Sequence, residues 1–147
     1  MAARRRDRVA WCEDVAVASR WADGYAQARH DLEQARASAA ARRYDWACFA
    51  AHQAAEKAVT GLHLRHGQAT RGHVVARLLA DLPETVRPKP ELIDAGRVLD
   101  TFYIPTRYPD SHADGPPFED YGRLHGEEAL RHAGDVLAFV AEALADG

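Results

Sequence analysis

Apolar side chains recur every three or four positions over most of the chain, the spacing that places them on one face of an α-helix. The first run covers residues 21–42; its apolar or small positions are Trp21, Tyr25, Ala28, Leu32, Ala35 and Ala39. The second run, residues 45–65, carries apolar groups around most of its circumference and is predicted to be the central helix. Its buried positions at the centre of the fold are predicted to be Trp46, Phe49, Ala50, Ala54 and Leu62.

The second half of the chain predicts three further helices. The run over residues 74–82 ends at Pro83, the run over residues 88–99 opens with two prolines, and a long run over residues 121–144 closes the chain. Between the last two runs, residues 105–117 are rich in Pro, Asp and Gly and are predicted to form an ordered loop. No segment alternates with period two over a useful length, so no sheet is expected.

These elements predict an all-α fold, an antiparallel four- to five-helix up-and-down bundle, because short connections make successive helices antiparallel neighbours. The helical domain is predicted to span residues 21–147. Residues 1–20 are basic and are predicted to form either an N-terminal tail or a short extra helix.

Charge and cysteine content narrow the classes of function. The 147 residues carry a formal net charge of −3, so no overall positive field would attract nucleic acid or an anionic membrane, and RNA binding would need a local patch. Cys12 and Cys48 are the only cysteines, which suits a reducing compartment. Without an apolar run near 20 residues or a signal-peptide core, no membrane contact and a cytoplasmic location are expected. The lack of a glycine-rich phosphate loop removes kinases, P-loop proteins and dinucleotide-binding proteins.

Residues 44–58, YDWACFAAHQAAEKA, resemble the signature helix of the HEPN family (higher eukaryotes and prokaryotes nucleotide-binding domain), whose members are often encoded beside minimal nucleotidyltransferases. Three further landmarks follow the family's order: Trp21 with Asp31-Leu32, Gly72-His73 before Leu78-Leu79, and YIPTRYPD at residues 103–110. The resemblance covers roughly residues 21–145. It implies a helical bundle that pairs as a homodimer, with a minimal nucleotidyltransferase antitoxin as a partner.

The resemblance also implies a chemistry. Many HEPN proteins are toxin-type, metal-independent ribonucleases with an Arg-x4-6-His motif, which Arg107 and His112 match. By this resemblance His112 transfers protons and Arg107 binds phosphate. Imidazole suits the first role because its ordinary pKa is about 6.5, and the planar guanidinium fork suits the second. Apart from the resemblance, Tyr103 and Tyr108 either form a surface for unstacked bases or pack as caps near the loop. With Asp110 they are assigned contacts with RNA or a nucleotide, and neither a metal nor another cofactor is expected.

A polar stripe runs along the second helix. Asp45, His52, Glu56 and His63 are spaced by seven, four and seven positions, which at about 100° per residue places them on one narrow face. Such a stripe is either the solvent edge of the helix or the wall of a polar cleft. His52 and Glu56 are predicted to make structural hydrogen bonds and His63 to be exposed. His52, Glu56 and Lys57 are assigned supporting roles at the site.

A non-catalytic interpretation stays open beside the enzymatic one. Arg107 could pair with a neighbouring aspartate and brace its loop, and the chain would then be a HEPN subunit that dimerises and binds a nucleotidyltransferase or a nucleotide. Tyr108 follows the arginine, where active members often have Asn, Asp or His, and this favours the non-catalytic interpretation. His73 is expected to cap or brace the short third helix rather than to take part in chemistry.

Overall fold

The computed structural model describes residues 20–103 and 114–146. Within them the chain forms helices and turns but no strand: α1 (Trp21–Ala40), α2 (Tyr44–Arg65), α3 (Val75–Ala80), α4 (Pro90–Asp100) and α5 (Arg123–Ala145), with short 3-10 segments at Glu84–Val86 and Pro117–Asp120. The predicted helices are present, with bounds that differ by a few residues. None of the helices described is both long and apolar enough to cross a bilayer. The predicted N-terminal tail or extra helix lies almost wholly outside the described residues.

The first two helices run antiparallel. The start of α1 packs against the end of α2, where a Cβ atom on Gly61 would lie 3.1 Å from the backbone oxygen of Trp21. An ion pair between Asp31 and Lys57 joins the two helices further along. The connection at residues 41–43 is too short for any other arrangement of two packed neighbours.

The last helix completes an up-and-down arrangement. The first turn of α5 contacts the first turn of α2: the ring of Tyr44 packs directly over Gly126. The ring of Phe102, just after the end of α4, lies 6.4 Å from that of His125 in the first turn of α5. Therefore α4 and α5 run in opposite directions, and α2 and α5 run the same way. The predicted all-α, up-and-down bundle is confirmed.

The centre of the bundle is α2, which contacts all four other helices. Its alanines allow close approach of the neighbouring helices, and Ala54 and Leu62 are fully buried as predicted. The prediction of a buried Trp46 is wrong, since its side chain is 49% exposed, and Phe49 and Ala50 are only partly buried. The reason is local: in the first turn of α2, Tyr44 rather than Trp46 fills the contact with α5.

The short helix α3 is held at its start by α4. A Cβ atom on Gly96 would lie only 3.0 Å from the backbone nitrogen of Ala76, so glycine is what lets the two backbones approach. One helical turn later, Asp100 accepts hydrogen bonds from the backbone N–H groups of Val75 and Ala76, at 2.7 and 3.1 Å. These two amides belong to the first turn of α3, where no intrahelical acceptor is available. This junction fixes the loop that precedes α3 against the polar stripe of α2.

Candidate functional site

His52 is a fully buried histidine at the floor of the site. Its Nε2 atom lies 3.0 Å from the backbone oxygen of His73 and 3.1 Å from Oδ1 of Asp100. Both atoms are acceptors, so Nε2 carries the hydrogen, and Nδ1 accepts from the side-chain amide of Gln53 at 3.3 Å. The prediction that His52 makes structural hydrogen bonds is confirmed.

Glu56 and His73 form a second pair, one turn along α2. Nδ1 of His73 lies 2.6 Å from Oε1 of Glu56, and the other carboxylate oxygen accepts from Gln53 at 3.4 Å. The Glu56 side chain is 14% exposed, whereas that of His73 is 60% exposed. The predicted structural hydrogen bonding of Glu56 is therefore confirmed. His73 does not cap α3 with its side chain, because the α3 amides bond to Asp100 instead.

Tyr103 covers both histidines. Its ring centroid lies 4.8 Å from that of His52 and 5.3 Å from that of His73, nearly parallel to the latter at 24°. On its other flank the ring stacks with Phe49 at 6.2 Å. The five side chains Glu56, His73, His52, Asp100 and Tyr103 are called the histidine cluster below. The tyrosine predicted to contact substrate is thus packed against two of the imidazoles.

The remaining predicted positions behave differently. Lys57 faces α1 and pairs with Asp31, so it stabilises helix packing and does not join the histidine cluster. The prediction that His63 is exposed is wrong: its side chain is 2% exposed, because α3 and the loop before it cover this end of the stripe. Its Nε2 atom donates to the backbone oxygen of Leu78 at 2.8 Å, and Nδ1 lies 2.9 Å from the side-chain amide of Gln68.

Four of the predicted site residues, Arg107, Tyr108, Asp110 and His112, lie outside the described residues. Their assigned roles stay predictions. Tyr103 is the last described residue before this segment and Asp114 is the first after it.

Two further ionisable groups, the Cys48 thiol and the Tyr121 phenol, can be excluded as nucleophiles at neutral pH. Burial, aided by Asp45 and Glu128, raises the pKa of the Cys48 thiol to about 12. Burial also raises the pKa of Tyr121 to about 12, with a contribution from the neighbouring Cys48. Because thiolate and phenolate are the reactive forms, both groups are inert near pH 7.

A surface depression of about 500 Å³ borders the other side of the loop before α3. Arg71, Arg77 and Asp81 line it together with His63, whose two ring nitrogens are already engaged. It offers charge but no imidazole available for proton transfer. Within residues 20–103 and 114–146, no group of three or more His, Cys, Asp or Glu side chains is arranged to hold a metal ion. Of the two imidazoles in the histidine cluster, that of His73 is the exposed one.

Comparison with known proteins decides the family. The sequence profile of the HEPN domain matches residues 22–144, which is most of the chain. The chain belongs to the HEPN family.

Solved structures of similar proteins agree with this assignment. The HEPN chain is 53% identical to TT1696 from Thermus thermophilus, over 84% of this chain and 98% of that one, with a TM-score of 0.83. ST0689, described as an archaeal HEPN homologue, is 35% identical over 83% and 95% of the two chains, with a TM-score of 0.72. A HEPN domain protein from Thermotoga maritima is 30% identical over 84% and 98%, with a TM-score of 0.68. None of the curated proteins compared with the chain is significantly similar to it.

The structure brings the predicted residues Tyr103, His52 and Glu56 together, whereas Asp100 was not singled out and His73 was expected only to cap or brace α3. Asp100 gave no signal, because its partners lie 24 to 48 positions away along the chain. His73 stands in the Gly72-His73 landmark of the sequence, but nothing in that landmark indicates its hydrogen bond to Glu56.

Proposed function

We propose that this HEPN protein is a metal-independent endoribonuclease of the toxin type, with Arg107 and His112 as its catalytic pair. The observation that supports it best is the packing of Tyr103 against His52 and His73, four residues before Arg107. Chain connectivity keeps the Cα atom of Arg107 within about 14 Å of that of Tyr103. Chain connectivity therefore allows Arg107 to reach the two imidazoles and the aromatic ring of the histidine cluster, and this is what supports the proposal.

The proposed reaction is transesterification at phosphorus. A base removes the 2′-hydroxyl proton, O2′ attacks the adjacent phosphorus, and the bond from phosphorus to O5′ breaks as an acid protonates the leaving oxygen. Arg107 would hold the non-bridging oxygens with two parallel N–H donors while negative charge builds on them. His112 would transfer one of the two protons.

Substrate contacts are proposed for three residues around the motif. Tyr103 is half-buried, and because its ring already stacks with His73 and Phe49, the contact proposed for it with a base is through the part of the residue that stays exposed. Tyr108 and Asp110 are proposed as further contacts with RNA or a nucleotide, through the phenol ring and the carboxylate. A local binding surface of this kind suits a chain whose net charge is −3.

The proposed assembly is a homodimer held in check by a minimal nucleotidyltransferase antitoxin in the cytoplasm. A two-fold axis would bring two copies of the Arg107 motif to one cleft. The exposed side chains of Phe118 and Leu124, 62% and 71% accessible, lie just before and at the start of α5 and suit a surface that another chain covers.

The reaction is tested with a DNA oligonucleotide that contains a single ribonucleotide, incubated with purified protein and a chelator. We expect cleavage only on the 3′ side of the ribonucleotide, with a cyclic phosphate or its hydrolysed form as the product end. The all-DNA oligonucleotide is the matched control. Equal cleavage of both would contradict a mechanism that begins at the 2′-hydroxyl.

The toxin role has a separate test in cells. Expression of the wild-type chain should arrest growth, His112→Ala should relieve the arrest, and Arg107→Lys should relieve it in part because the charge remains but the fork is lost. Arrest that persists in His112→Ala would favour the alternative function. That alternative is a non-catalytic HEPN subunit that dimerises and binds a nucleotidyltransferase or a nucleotide, and Tyr108 directly after Arg107 favours it.

A further inference from the structure

The surface depression of about 500 Å³ beside α3 lies between two walls. Residues 68–72, in the loop that precedes the helix, form one of them. The other wall is one face of α3 and its two ends, with residues spaced by three, one and three positions: Val74, Arg77, Leu78 and Asp81. Binding sites for small molecules usually have volumes of about 300 to 1,000 Å³, so this depression is large enough for a small organic ligand.

Two arginines line the depression, one on each wall. Arg71 belongs to the loop and Arg77 to α3, and both are exposed. Neither forms an ion pair or a hydrogen bond through its side chain with any residue in the ranges 20–103 and 114–146. Each planar guanidinium group can therefore donate two parallel N–H bonds to an anion. A phosphate monoester carries close to two negative charges at neutral pH, whereas a carboxylate carries one, so a pair of such arginines favours a phosphate.

Hydrogen-bond acceptors line the same depression. The carboxylate of Asp81 is exposed and pairs with no cation in the described part of the chain. Nε2 of His63 donates to the backbone oxygen of Leu78 at 2.8 Å, so Nδ1 of the neutral ring accepts. Nδ1 lies 2.9 Å from the side-chain amide of Gln68, which must present its NH₂ group there. The amide oxygen of Gln68 is thus left to accept from a ligand, and hydroxyl groups are donors that suit both acceptors.

We propose that this depression binds a phosphorylated sugar. Arg71 and Arg77 hold the phosphate from the two walls. Asp81 and Gln68 accept hydrogen bonds from the sugar hydroxyls. Val74, 48% exposed on the α3 wall, gives the sugar carbons an apolar contact. The site is built from described residues alone, and the proposal does not depend on the ribonuclease function.

Isothermal titration calorimetry of the wild type with ribose 5-phosphate, inorganic phosphate and ribose tests both halves of the ligand. Ribose 5-phosphate should bind more tightly than inorganic phosphate, because only the former brings sugar hydroxyls to the acceptors. Ribose should not bind, because it lacks the charge that the arginines hold. The proposal is overturned if ribose 5-phosphate does not bind at millimolar concentration, or if it binds no more tightly than inorganic phosphate or ribose.

Substitutions on the two walls test the assigned contacts. Arg71→Gln and Arg77→Gln should each weaken the binding of ribose 5-phosphate by about 10- to 100-fold, the usual contribution of hydrogen bonds to a charged group expressed as affinity. Arg87→Gln is the matched control, because Arg87 is also exposed but lines a different depression. Asp81→Ala should weaken the binding of ribose 5-phosphate but not that of inorganic phosphate. A loss in Arg87→Gln as large as in Arg77→Gln would show a general attraction to positive charge and would overturn the site.

Nuclear magnetic resonance of the isotope-labelled wild type locates the ligand without any substitution, so the test does not depend on whether a variant folds. Addition of ribose 5-phosphate should shift the backbone amide signals of residues 68–72 and 77–81 and leave those of α5 unchanged. Shifts confined to other parts of the chain would overturn the proposal even if calorimetry detects binding.

Discussion

Within the histidine cluster, the substitution Asp100→Ala should lower the free energy of unfolding more than loss of the other carboxylate, that of Glu56. The carboxylate accepts two backbone N–H groups at the start of α3 and one ring N–H from His52. Removal leaves the amides of Val75 and Ala76 without an acceptor, at positions that are 0% and 8% exposed. His52 keeps its second acceptor, the carbonyl oxygen of His73.

The magnitude follows from those two amides. Hydrogen bonds to a charged group contribute about 1.5 to 3 kcal/mol each, so the pair sets an upper range of about 3 to 6 kcal/mol. The Asp100 side chain is 19% exposed, which lets water replace part of the loss. We therefore expect the free energy of unfolding to fall by about 2 to 4 kcal/mol. Asp100→Asn should lose about half as much, because its amide oxygen can still accept one N–H.

Urea denaturation followed by far-UV circular dichroism measures this change. Asp94→Ala is the matched control, earlier on the same helix: its ion pair with Arg97 joins side chains that are 69% and 66% exposed. Exposed pairs of this kind contribute about 0 to 1 kcal/mol. If Asp100→Ala and Asp94→Ala unfold at the same urea concentration, the assigned role of Asp100 as the cap of α3 is refuted.

Three further outcomes are expected. Gly96→Ala should lower the free energy of unfolding by about 1 to 3 kcal/mol, because the added Cβ atom would lie 3.0 Å from the backbone of Ala76. Gly24→Ala is the control: its nearest neighbour would lie at 3.9 Å, so the same urea titration should show no change or a gain in stability. In a Cys12→Ser background, native Cys48 should resist a thiol reagent at pH 8 and react on unfolding, since its pKa of about 12 leaves almost no thiolate; rapid labelling of the native protein would contradict this. The same pKa shift should make the wild type lose stability as pH rises from about 9 towards about 12, because the Cys48 thiol releases its proton at lower pH in the unfolded chain than in the folded one. Denaturation measured at several pH values should show a smaller loss of stability for Cys48→Ala than for the wild type.

Helix positions were predictable because each one depends on residues close together in the sequence. The apolar period of α1, the alanine-rich faces of α2 and the proline at the first position of α4 are local signals, and the corresponding helices are present. The same periodicity placed Asp45, His52, Glu56 and His63 on one face of α2. It could not show which part of that face another segment covers, and this is why His63 was expected in solvent but is buried beneath α3.

The contacts of the candidate site were less predictable, because they join distant parts of the chain. The bond between His52 and Asp100 spans 48 positions and that between Glu56 and His73 spans 17. Neither aspartate nor histidine carries a local signal for such pairing. The predicted burial of Trp46 was wrong for a related reason: periodicity identifies an apolar position but not whether a neighbouring residue, here Tyr44, already fills the contact.

Ribonuclease chemistry at Arg107 and His112 is tested most directly by the ratio of two rates, the cleavage of single-stranded RNA by wild type and by His112→Ala in the presence of a chelator. Both proteins should be purified identically and shown to unfold at the same urea concentration. We expect wild type to cleave and His112→Ala to be slower by about 10² to 10⁴. Equal residual cleavage by the two proteins would contradict the proposed function, because the activity would then not depend on the His112 imidazole.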